Sequence, residues 1–183
     1  MKTVIVYESM FGNTERFATE IRDTLRAAGV SVVLADIRNA RPYDLLGSDL
    51  LVVGAPTHAF TMSRPSTRDE AVHRGADPGR EVLGIREWLT LLDDGFPTSA
   101  DRPLVAVFDT RVTRVRRFPG AAAHRAAKVL RAQGFRIATE PRSFYVDDVT
   151  GPPSKGELAE ARRWATQLPT LLAGLDPVTR GAT

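Results

Sequence analysis

Apolar residues in this chain fall into short continuous runs, and between the runs they recur at helical spacing. Thr3 to Tyr7 is a continuous, β-branched and aromatic run, the pattern of a strand buried on both faces. Val30–Asp36, Asp49–Gly54 and Pro103–Asp109 repeat it. Phe135–Thr139 and Ser143–Val146 read as one fifth strand region interrupted around Pro141. Helical spacing appears at Phe17, Ala18, Ile21, Leu25 and Ala28, and Gly29 stops that helix. It returns at Ile85, Trp88, Leu89 and Leu92 within Gly84–Asp94, and in the Ala-rich stretch Gly120–Gln133. The last helix carries Leu158, Ala161, Trp164, Ala165 and Leu168, with Ser154 and Glu157 spaced as a capping box. Arg68–Gly75 reads as a short helix capped by Thr67. Strand and helix alternate five times. That order predicts an α/β protein: a three-layer α/β/α sandwich on a five-stranded parallel sheet.

Length and composition narrow the class. At 183 residues, 43% apolar and 26% charged, one globular domain is expected, spanning 1–175 with a tail at 176–183. No stretch has the length of a membrane span, and the first residues are too few for a signal-peptide core; no membrane insertion and a cytoplasmic location are expected. With no Cys, thiol catalysis, disulfides and Cys-based metal sites are excluded. The three His are scattered, so no metal site is expected. The net charge of +3 is modest, but Arg111, Arg114, Arg116 and Arg117 crowd one stretch. That stretch lacks the interleaved aromatics of a single-strand binder and has no matching basic helix, so nucleic acid is not the expected partner.

Chemistry in parallel sheets gathers at the carboxyl ends of the strands. Three loops start there. In the first, Ser9-Met10-Phe11-Gly12-Asn13-Thr14, side-chain hydroxyls and an amide join consecutive backbone N–H groups at a helix N-terminus, a cradle for a phosphate. A capped βα turn is the plain alternative. It is neither a P-loop nor a dinucleotide fingerprint. The second loop, Pro56-Thr57-His58-Ala59-Phe60, could cover one face of a planar ring; a lone His there is more often a packing residue than a catalyst. The third begins Asp109-Thr110-Arg111. Glu8 alone does not supply the acidic set that a phosphoryl-accepting Asp109 would need.

Together these stretches resemble the flavodoxin-like family, along the whole chain. The family's [TS]-x-[TS]-G-x-[TS] loop stands here as Ser9 to Thr14, with Phe11 where a hydroxyl is usual. GAPTHAFTMS resembles the loop over the flavin ring, and GPPSKGELAEARRWA the last turn and helix. The resemblance implies strand order 2-1-3-4-5 and FMN as cofactor. It implies that Ser9, Met10, Phe11, Gly12, Asn13 and Thr14 hold the phosphate. Pro56, Thr57, His58, Ala59 and Phe60 would line the isoalloxazine, with Asp109, Thr110 and Arg111 at its other side. It implies electron transfer with a redox partner protein or a small-molecule acceptor, by a carrier with no catalytic residue of its own. An FMN-dependent NAD(P)H:quinone oxidoreductase and a flavin-free interaction module on the same fold are the alternatives. Arginines in the third loop, where such carriers usually place acids, imply a less strongly reducing flavin.

Overall fold

The computed structural model describes residues 1–92 and 95–173. The expected tail at 176–183, and the end of the expected Gly84–Asp94 helix, lie outside the described residues.

Five parallel strands form the sheet: β1 (Lys2–Tyr7), β2 (Ser31–Asp36), β3 (Leu50–Pro56), β4 (Leu104–Val112) and β5 (Arg142–Val146). Their order is β2-β1-β3-β4-β5. The continuous apolar runs sit at its centre because both faces there are covered: every residue of β3 but Pro56 is buried. Helices α1 (Asn13–Ala27) and α5 (Glu157–Ala173) pack on one face. On the other lie α3 (Ile85–Leu92) and α4 (Ala122–Ala132), with Trp88 buried among them and its Nε1 donating to the Ala40 carbonyl at 2.7 Å. A further helix, α2 (Pro65–His73), stands at the carboxyl edge of the sheet. Among the described residues no helix is long and apolar enough to cross a membrane.

Several elements depart from the pattern-based expectation. β4 runs on to Val112 because its polar end, Asp109-Thr110-Arg111, pairs with β5 from Ser143 to Tyr145. These three residues are therefore strand, and the loop begins after them. Phe135–Thr139 forms no strand; it touches the sheet through a single bridge, Ile137 to Val105. Thr67 sits inside α2, which starts at Pro65, the favoured residue at a first helical position. The capping box at α5 does not form. The Ser154 hydroxyl donates to Asp147 Oδ1 (2.7 Å) and lies 2.8 Å from Thr113 Oγ1, while Glu157 Oε2 accepts the Tyr145 amide at 3.0 Å. Both side chains serve the β5 end of the sheet rather than their own helix.

Candidate functional site

The β1–α1 loop turns at Gly12, which takes φ +82° as the N-cap of α1. A Cβ there would meet nothing within 4 Å, so glycine is needed for its backbone angle and not for space. Ser9 Oγ accepts the Glu15 amide at 3.3 Å, and the Gly12 carbonyl accepts the Arg16 amide. Among the described residues, the amides of Met10, Phe11, Gly12, Asn13 and Thr14 donate to no protein acceptor. Five unpaired donors in sequence at the positive end of a 15-residue helix form a preorganised anion cradle.

Side chains of this loop tie it to its neighbours. Thr14 Oγ1 lies 2.9 Å from Thr110 Oγ1, and Asn13 Nδ2 donates to the Val149 carbonyl at 3.1 Å. Asn13 thus fixes the turn after β5. Arg80 donates to the Ser9 carbonyl at 2.7 Å from the segment after α2. Phe11, the departure from the family pattern, is half-buried with Met10 against Ala71, Val72 and Ala76. In place of a hydroxyl, the position supplies an apolar anchor for α2.

The second loop is a two-residue hairpin. His58 and Thr61 exchange both backbone hydrogen bonds (2.9 and 3.0 Å) around Ala59 (φ 45°) and Phe60 (φ 64°). Such turns normally use Asn or Gly; an L side chain at positive φ costs roughly 1–2 kcal/mol. His58 is half-buried, and burial lowers its pKa, so the neutral imidazole is the form held there. Thr57 donates its amide to the Thr110 carbonyl, and its Oγ1 accepts the Ala122 amide at 2.9 Å. Asp109 Oδ2 accepts the next amide, Ala123, at 2.8 Å. The first turn of α4 is therefore capped from two places, the residue just after β3 and the polar end of β4. Asp109 is fully buried and burial raises its pKa. Arg111 is buried too, and its guanidinium donates to the carbonyls of Val115 and Phe118, both at 3.0 Å.

A cavity of about 210 Å³ opens between these loops. Of the residues expected from the sequence, it is lined by Ser9, Met10, Phe11, Asn13, Thr14, Pro56, Thr57, His58, Ala59 and Thr110. Gly12 shapes the loop without lining the cavity, and Phe60 stands exposed at the hairpin tip. Asp109 and Arg111 do not line it: side chains alternate along a strand, and they point opposite to Thr110. One wall of the cavity is not apparent in the sequence pattern. Thr67, Glu70, Ala71 and Arg74 of α2 and its C-cap face the cavity at helical spacing, and Val112, Val146 and Val149 close the far side. The 67-70-71-74 spacing was visible, but it is polar, so it carried no core signal.

Beneath the first loop lies Glu8, 1% exposed. Its Oε2 accepts the Ile85 amide at 2.8 Å and caps α3, while Oε1 meets no hydrogen-bond partner among the described residues. Burial pushes its pKa up to about 7, against the opposing pull of Ser63, the Ile85 amide and Arg68. Arg68, 2% exposed, joins the same cluster through Ser63 Oγ (3.2 Å) and Glu87 Oε2 (3.1 Å).

Comparison with known proteins bears on the fold. Residues 5–67, which carry the first two loops, match the flavodoxin family model. The chain has a flavodoxin-like fold. Flavodoxin 1 from Bacillus cereus superposes with a TM-score of 0.66 at 18% identity, over 93% of this chain and 98% of that one. A flavodoxin from the domain Archaea gives 0.65 at 19% identity, over 94% and 99%. The rubredoxin oxygen:oxidoreductase of Desulfovibrio gigas gives 0.64 at 18% identity; the flavodoxin-like chain covers 94% of itself but spans only 36% of that protein. No curated protein matches the chain in sequence.

Proposed function

We propose that this flavodoxin-like protein binds FMN at the loop cluster and acts as an electron-transfer protein. The observation that carries the reading is the run of unpaired amides from Met10 to Thr14 at the start of α1. An anion there would receive preoriented donors with no Lys or Arg on the loop itself, which suits a phosphate monoester. The hydroxyls of Ser9 and Thr14 stand beside those amides and could exchange their present partners for phosphate oxygens. Pro56, Thr57, His58 and Ala59 would lie along the isoalloxazine, presenting a neutral imidazole and backbone rather than charge. When bound, FMN would supply the one- and two-electron chemistry; the chain contributes placement and electrostatics.

Water exclusion comes from α2, held over the loop by Phe11, Met10 and the Arg80 link. The arginines of the third loop divide into two roles. Arg111 braces the loop from inside, and Arg114, Arg116 and Arg117 stand exposed outside the cavity. Their effect on the flavin would therefore be a screened, through-solvent one. A cytoplasmic carrier remains the reading of the whole.

The test is a paired titration of the purified protein with FMN and riboflavin, read by quenching of flavin fluorescence. FMN should bind one per chain and at least tenfold more tightly than riboflavin, which lacks the phosphate. Equal affinity for the two, or no binding of either, contradicts the proposal.

A further inference from the structure

One face of the molecule carries a charge pattern that the cofactor site does not use. From Thr110 to Thr139 the chain has no Asp or Glu, while it holds seven Arg and one Lys. Residues 50–68, which include the hairpin, have no acid either. Arg114, Arg116 and Arg117 are exposed in the third loop. The outward face of α4 continues the pattern with His124, Arg125, Lys128 and Arg131, all exposed. A basic helix does accompany the arginine loop, contrary to the sequence-based expectation.

At the head of this face stand two exposed aromatic residues. Phe60 is 42% and Phe118 57% exposed, with ring centroids 5.9 Å apart and planes tilted by 44°. Both are held by close neighbours in the fold. Arg111 grips the Phe118 carbonyl. Gly120 lets the Phe60 carbonyl approach so closely that a Cβ there would lie 2.6 Å from it. Arg114, on Asp148, and Arg116, over the Tyr145 ring, belong to the same loop as Phe118, so an exposed apolar pair and exposed arginines share one segment, the composition of a protein-docking patch. It sits next to His58 and Ala59, which line the proposed flavin cavity.

We infer that the Phe60–Phe118 patch, with Arg114, Arg116, Arg117 and the outer face of α4, docks an acidic electron-transfer protein. This rests on the flavin reading for its redox purpose, though not for its charge complementarity. A protein with a carboxylate-rich rim fits better than single-stranded nucleic acid. The two rings pack on each other and do not stand splayed as stacking platforms for bases. Asp148, on Arg114, is the acid paired with this loop among the described residues, so the positive charge is largely left for a partner.

The experiment uses two small haem proteins of opposite charge as probes, acidic cytochrome b5 and basic cytochrome c, each fluorescently labelled. Binding is measured by anisotropy to the protein with and without added FMN, at low and at high salt. Cytochrome b5 should bind the wild type at least ten times more tightly than cytochrome c at low salt, and the preference should collapse at high salt. Arg114→Glu with Arg117→Glu should lower cytochrome b5 affinity at least tenfold; Arg163→Glu, on the opposite face, should not. Phe118→Ser should weaken binding severalfold and leave the salt dependence intact. In the FMN-loaded protein, reduced beforehand with dithionite, the two-electron-reduced flavin should pass one electron to each of two ferric cytochrome b5 haems and release its protons to solvent, more slowly in the Arg114→Glu, Arg117→Glu variant than in the wild type. A cytochrome b5 affinity that is insensitive to salt or to the double variant overturns the inference. So does tighter binding of a 20-nucleotide single-stranded DNA. Because anisotropy is read without FMN as well, loss of flavin binding alone would sink the cofactor proposal and leave this one standing.

Discussion

Glu8→Gln is the perturbation whose outcome follows most closely from the structure. The carboxyl is buried under the first loop and its pKa is pushed from an ordinary 4.5 to about 7. Below about pH 4.5 both folded and unfolded chains hold the proton, so Glu8 contributes nothing to the pH dependence. Between 4.5 and 7 the folded protein keeps a proton that the unfolded chain has released, so stability falls as pH rises. Above 7 both states are ionised and the loss levels off. At 1.36 kcal/mol per pH unit, that interval amounts to ~3 kcal/mol. Glutamine stays neutral, and its carbonyl oxygen can still accept the Ile85 amide that Oε2 now accepts. Urea denaturation followed by tryptophan fluorescence at a series of pH values gives the difference between variant and wild type. That difference should swing toward the variant by ~3 kcal/mol from pH 4.5 to pH 7.5. A constant difference, or one that swings toward the wild type, refutes the account of Glu8. The same charge bears on function: an anion two residues before the Met10–Thr14 amides repels a dianion. FMN affinity of the wild type should therefore weaken above pH 7, and that of the variant should not.

Ser9→Ala and Thr14→Ala should each weaken FMN binding roughly 10- to 100-fold, the loss of one charge-assisted hydrogen bond; unchanged titrations in both would put the phosphate elsewhere. Gly54→Ala should destabilise by about 1–3 kcal/mol, because the new Cβ would lie 2.3 Å from Phe108 Cζ in the packed aromatic core. An unchanged thermal midpoint would contradict that packing. Phe11→Ala should loosen α2, seen as faster amide hydrogen exchange across residues 65–73 while the fold persists. If those amides exchange as in the wild type, Phe11 does not anchor the helix.

The strands and their parallel arrangement were legible because β1, β3 and the start of β4 are unbroken apolar runs, which a sheet covered on both faces requires. The first two loops were legible because polar residues follow those runs abruptly. What the sequence hid is tertiary. Asp109 reads as the end of a strand and Arg111 as loop, yet β4 runs on through both, since their polar groups find partners on α4 and in the third loop. Ser154 and Glu157 have capping-box spacing, but stronger partners across the fold claim them. α2 buries Arg68 and Ala71 rather than an apolar stripe, so no periodicity announced it as a wall of the cavity. Glu8 was read only as an insufficient acid; its significance lies in its burial, which pattern alone does not reveal.

On the proposed function, the amides from Met10 to Thr14 would receive the phosphate of FMN. Amide proton and nitrogen shifts, recorded on isotope-labelled protein through an FMN titration and again with riboflavin, test it directly. Large downfield shifts are expected at residues 10–14 with FMN, and much smaller ones there with riboflavin. Saturation by FMN with those five amides unmoved would contradict it.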